Sequence, residues 1–231
     1  MLKKLTFIQH LEELRAGILK SIIFIIFVSA ILYAFTDVIL GFMVRPVGRL
    51  VFISPPEAFI TTIKIALFGG LFLSSPFVLY EVWQFISAGL GKDERGYALL
   101  FGFFSFILFL AGCFFGYFII VPIGMKFLLG FGSDFVSPMI SVGRYVSFIG
   151  TLTFVFGMAF QLPIVILFLS KIGVVTPHYL SRNRKYAVVI MFIAGAIFTP
   201  PDVITQCLLA IPLLLLYELS IILSRLINRK R

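Results

Sequence analysis

Six long apolar runs constrain this chain more than any other feature, because together they leave it one kind of environment. They cover Gly17–Phe35, Ile65–Ile86, Tyr97–Val121, Tyr145–Ser170, Tyr186–Thr199 and Val203–Leu223. A helix rises about 1.5 Å per residue and a bilayer's hydrocarbon core is about 30 Å thick, so most of these runs have crossing length. With 61% of 231 residues hydrophobic and 13% charged, a soluble domain has nowhere to hide the apolar surface. The expected fold is an all-α integral membrane protein, a six-transmembrane-helix bundle forming a single domain over residues 1–231.

The fifth and sixth runs are predicted to form short helices. The fifth is uncharged for only 14 residues, which spans about 21 Å. Pro200-Pro201-Asp202 between them is a stop and a turn. The pair reads either as a re-entrant hairpin or as two crossings of a thinned bilayer. Continuation past Glu218 into Leu219–Leu223 favours two crossings.

Charge sets the orientation. With both termini on one side, that side holds fourteen of the nineteen basic residues; the other keeps Arg45, Arg49, Lys64, Lys126 and Arg144. Both termini are therefore expected in the cytoplasm. The net charge of +9 does not indicate nucleic acid, since the basic residues sit in short groups at the ends of apolar runs. The first run follows an acidic stretch, is longer than a signal-peptide core and lacks a small-x-small exit, so it reads as a retained anchor. The two outside connections, Thr36–Thr62 and Pro122–Arg144, are long and greasy and are expected to pack on the interface or on each other.

Few residues are placed to do chemistry. Thr6 and Gln9 have capping-box spacing, which starts a helix at Phe7. Leu5, Ile8, Leu11, Leu14 and Ile18 form one stripe on it; Glu13 points away, Glu12 sits on the edge and Arg15 falls within. Acid at the mouth of a membrane segment needs a cation. Arg15, Lys20 or Lys92 would supply it internally; a ligand would supply it from outside. None of the ten acids lies at mid-membrane, which argues against an intramembrane aspartyl protease or a carboxylate proton relay. There is no G-x-S-x-G, H-E-x-x-H or P-loop, and the chain is not expected to be an enzyme or to carry a metal or cofactor. Cys113 and Cys207 both lie inside apolar runs, unlike a disulfide framework.

Gln161, deep in the fourth run beside Pro163, is a candidate polar contact, either to a neighbouring helix or to something entering the bundle. Thr199, Thr205 and Gln206 form a second polar group. Short, proline-interrupted segments also suit a secondary transporter, but the halves show no repeat and the membrane interior no charge.

Four stretches then resemble one family. They are His10-Leu11-Glu12-Glu13-Leu14-Arg15; Tyr80-Glu81-Val82-Trp83-Gln84-Phe85 with Leu90-Gly91-Lys92-Asp93-Glu94-Arg95; Thr199-Pro200-Pro201-Asp202-Val203; and Ala210-Ile211-Pro212. In this order they resemble TatC, the multi-spanning core subunit of the twin-arginine protein translocase. The resemblance covers essentially the whole chain. It implies a receptor in the cytoplasmic (inner) membrane that binds twin-arginine signal peptides of folded passenger proteins and assembles with TatA/TatB-type single-span membrane subunits and with itself. It places signal-peptide binding on Glu13, Glu94, Phe85 and Arg15, and partner docking or structural roles on Pro46, Thr199, Asp202 and Gln206. Some members carry glutamate where this chain has Gln161, so a hydrogen-bonding group, not a charge, is what that position shares.

Overall fold

The computed structural model describes residues 7–45, 47, 50–89, 92–130, 139–199 and 202–228, with side chains for all of these except 7, 92–99, 227 and 228. Among the described residues all regular secondary structure is helical, apart from one bridge between Val51 and Ser141. It forms two compact units.

The first unit contains α1 (Phe7–Tyr33), α2 (Thr36–Val44), α3 (Pro55–Ala88), the start of α4 (Lys92–Phe115) and Ser141–Val146. Thr6, the expected cap of α1, lies outside the described residues. α1 lies along α3, but not through its apolar stripe: Ile8, Leu11 and Ile18 are all exposed, while Ser21 and Ser29 are buried. A Cβ on Gly70 would sit 3.0 Å from the Ser29 Cα, so the two backbones nearly touch. Small residues at a close helix crossing with aliphatic side chains turned outward is how helices pack in lipid, where burying leucine gains nothing.

Much of the first long connection is helical, contrary to the loop expected over Thr36–Thr62. α2 occupies its start, and Pro55-Pro56 open α3 at positions where a missing N–H costs nothing. The two long connections do bind each other. Glu57, in the first turn of α3, accepts the Ile53 N–H at 2.7 Å, the Gly143 N–H at 3.0 Å and the Ser141 hydroxyl. The Val142 N–H donates to Val51 O at 2.9 Å, and the Tyr145 hydroxyl to Met43 O at 2.8 Å.

The second unit contains α4 from Ile107, a π-helical turn (Gly116–Ile120), α5 (Val121–Leu129), α6 (Val142–Ala159) from Ser147, α7 (Leu162–Lys171), α8 (Pro177–Arg182), α9 (Arg184–Phe198) and α10 (Val203–Asn228). The third apolar run does not end at Val121. The π turn shifts the hydrogen-bond register just before Pro122, and the helix continues to Leu129. The fourth run breaks at Phe160-Gln161, then ends in a Schellman motif: Gly173 has φ +81°, Val174 N–H reaches Leu169 O at 3.0 Å and Gly173 N–H reaches Ser170 O at 3.2 Å.

The sixth run is not short. α10 has 26 residues, about 39 Å, because hydropathy marks where a run leaves the membrane and not where a helix stops. α9, with 15 residues, is short as expected. Five stretches among the described residues are long and apolar enough to cross a membrane, and α9 is not one of them. α10 packs against α7, α8 and α9. Polar contacts fix it there: Ser170 and Ser224 share a hydrogen bond of 2.6 Å, the Tyr217 hydroxyl donates to Leu180 O at 3.0 Å, and Arg184 grips both Glu218 oxygens at 2.7 and 2.8 Å.

Candidate functional site

The site is built where the first half of α1 faces the last turns of α3. On α1, Glu13, Ala16 and Lys20 fall at intervals of three and four, which puts them on one face. On α3, Glu81, Gln84, Phe85 and Ala88 do the same. Between these faces lies a groove of about 290 Å³, lined by all seven and by Ser87. Ala16 keeps it open, since its side chain ends at Cβ.

Two contacts order the groove. The His10 ring stacks on Phe85 with centroids 4.3 Å apart and planes 16° apart, and His10 Nδ1 lies 3.7 Å from a Glu13 oxygen. Phe85 thus holds the imidazole and the imidazole stands beside the Glu13 carboxylate, forming an ion pair whenever it is protonated. Deeper in, Lys20 Nζ lies 3.5 Å from Glu81 Oε1. Of the cations expected for Glu12 and Glu13, Lys20 pairs with Glu81, and the Lys92 side chain lies outside the described residues.

Of the residues expected to bind a peptide, Glu13 and Phe85 come together in this groove. Arg15 is exposed on α1 and does not line it. The Glu94 side chain and Pro46 lie outside the described residues. In the second unit Gln161 is buried at the start of α7. Thr199, Asp202 and Gln206 all have partners within the α9–α10 turn. Thr199 Oγ1 donates to Gly195 O at 2.8 Å, and Asp202 Oδ1 accepts the Thr205 N–H at 2.7 Å as an N-cap. Gln206 Nε2 reaches Phe192 O at 2.9 Å. Among the described residues no three metal-ligating side chains come together.

Sequence reasoning named Lys20 only as a cation for Glu12 and Glu13, and gave no role to His10 or Glu81. The spacing Glu81, Gln84, Phe85, Ala88 was visible, but only the register of α1 on α3 shows what it faces.

Helices throughout the described regular structure, five stretches of them long and apolar enough to cross a membrane, place the chain in the class of multi-pass membrane proteins. Residues 9–212 match the family described as Sec-independent protein translocase protein (TatC). The chain is 42% identical to the TatC protein of Carboxydothermus hydrogenoformans, over 99% of this chain and 96% of that one. It is equally 42% identical to that of Aquifex aeolicus, over 96% of each. A crystal structure described as the twin-arginine translocase receptor TatC superposes with a TM-score of 0.87 at 42% identity, covering 94% of this chain and 98% of the other. This chain belongs to the TatC family: it is a component of a twin-arginine, Sec-independent protein translocase.

Proposed function

We propose that this chain is the receptor subunit that captures twin-arginine signal peptides at its cytoplasmic face and gathers single-span partners to export folded proteins. The observation that carries the reading is Glu13, on the wall of an open groove that Phe85 also lines, in a TatC-family chain. A guanidinium is planar and meets a carboxylate with two parallel hydrogen bonds, which an ammonium cannot do. Hydrogen bonds to charged groups contribute about 1.5–3 kcal/mol each. Two arginines divided between Glu13 and Glu94 thus distinguish the cargo leader from one bearing lysines. Arg15, exposed on the same helix, suits a brace against the following loop or a lipid phosphate.

The chain crosses the membrane six times in this reading: α1, α3, α4 with α5, α6 with α7, α9 and α10. α9 covers only about 22 Å, which a locally thinned bilayer accommodates. Both termini are cytoplasmic, as the basic residues favour. Gln161 offers a buried polar contact to the apolar part of the leader. Pro46 and the Thr199, Asp202 and Gln206 turn shape surfaces for TatA/TatB-type subunits and for self-association.

The test is co-purification of a folded passenger bearing a twin-arginine leader. Wild type retains it, and Glu13→Ala or Glu94→Ala loses it. Retention by both variants overturns the reading.

A further inference from the structure

Glu81 is the least accessible carboxylate in any ion pair of the described residues. Its side chain is 11% exposed, while that of its partner Lys20 is 58% exposed. At 3.5 Å, Lys20 balances its charge with one long contact, and a carboxylate has room for several donors. Glu81 also stands close to Glu13. Gly17 is one turn on from Glu13, and a Cβ on it would lie 3.4 Å from Glu81 Oε2. Glu13 and the Gly17 backbone that Glu81 reaches are one helical turn apart, roughly 5 Å along α1, and both acids line the same groove. One guanidinium entering it, with five N–H groups, can serve two acids at once.

Resting on the receptor reading above, we infer that Glu81 is a second acceptor for the arginine held by Glu13, and that Lys20 is a resident competitor displaced when it binds. The consequence concerns specificity. Lys20 is tethered to the groove and presents an ammonium at high effective concentration. A lysine from a leader peptide replaces one ammonium by another and gains nothing at Glu81. An arginine replaces a single long contact by a fork of short ones. Lys20 thereby raises the threshold that a wrong ligand must pass, a form of discrimination that acts by penalising the competitor.

The experiment measures Kd for a twin-arginine peptide and its twin-lysine counterpart with the full chain in nanodiscs. Lys20→Gln should tighten the lysine peptide more than the arginine peptide, cutting discrimination by about tenfold. Lys20→Arg, a stronger resident, should weaken both. Glu81→Gln should weaken the arginine peptide several-fold and the lysine peptide little. The two Lys20 variants decide the matter alone if Glu81→Gln fails to fold. Unchanged discrimination in Lys20→Gln, with binding still lost in Glu13→Ala, overturns the role of Glu81 and Lys20 and leaves the receptor reading standing. Binding that survives Glu13→Ala sinks the receptor reading itself.

Discussion

Asp202 makes its contacts within a single helical turn. In sequence it follows a double proline, and family resemblance gives it a docking or structural role. In the fold, its carboxylate caps α10 by accepting the Thr205 N–H at 2.7 Å, and the Thr205 hydroxyl also donates to it. Loss of such a cap costs about 1 kcal/mol. Asp202→Ala should therefore lower the unfolding temperature of the purified chain in detergent, with Asp202→Asn recovering most of the loss. An Asp202→Ala protein as stable as wild type would mean that the residue serves a partner only. Glu13 was legible for a different reason: its position opposite the stripe follows from helical periodicity alone. Glu81 was not, because its meaning depends on Lys20, sixty-one positions away on another helix.

Helices were located well by hydropathy and delimited poorly. Apolar runs report contact with lipid, whereas a helix stops where its backbone is capped or turned. Hence α3 extends beyond its run at both ends, α10 runs on past Leu223, and Pro122 is absorbed by a π turn that no period reveals. Packing inverts the soluble rule as well, since the stripe on α1 faces outward and small residues face α3. The closeness of α1 to α3 makes a sharp prediction. Gly70→Val drives a side chain into Ser29, and overpacking of this kind costs about 1–3 kcal/mol. It should lower stability and weaken peptide binding, although no groove residue changes. Gly41→Val is the control, because a Cβ there meets nothing within 4 Å. Equal binding by both variants would show that the groove does not depend on the α1–α3 contact.

For the whole molecule, the sequence supplied the class, and the four family stretches supplied the name. The crossing number turns on α9, which is too short to qualify by length. Single cysteines at Ser54, Ser87 and Arg231, in a background without Cys113 and Cys207, resolve it. With six crossings and cytoplasmic termini, an impermeant thiol reagent outside the cell labels the Ser54 variant alone. Labelling of the Arg231 variant from outside would mean an odd number of crossings.

Arginine preference is the property on which the receptor reading stands, and it is measured most directly as a ratio of two dissociation constants. Twin-arginine and twin-lysine leader peptides are titrated against wild type and the Glu13→Gln/Glu94→Gln double variant. Wild type should favour arginine by about a hundredfold, the scale set by two charge-assisted contacts, and the double variant should show almost no preference. A double variant that still discriminates as wild type does would contradict the account.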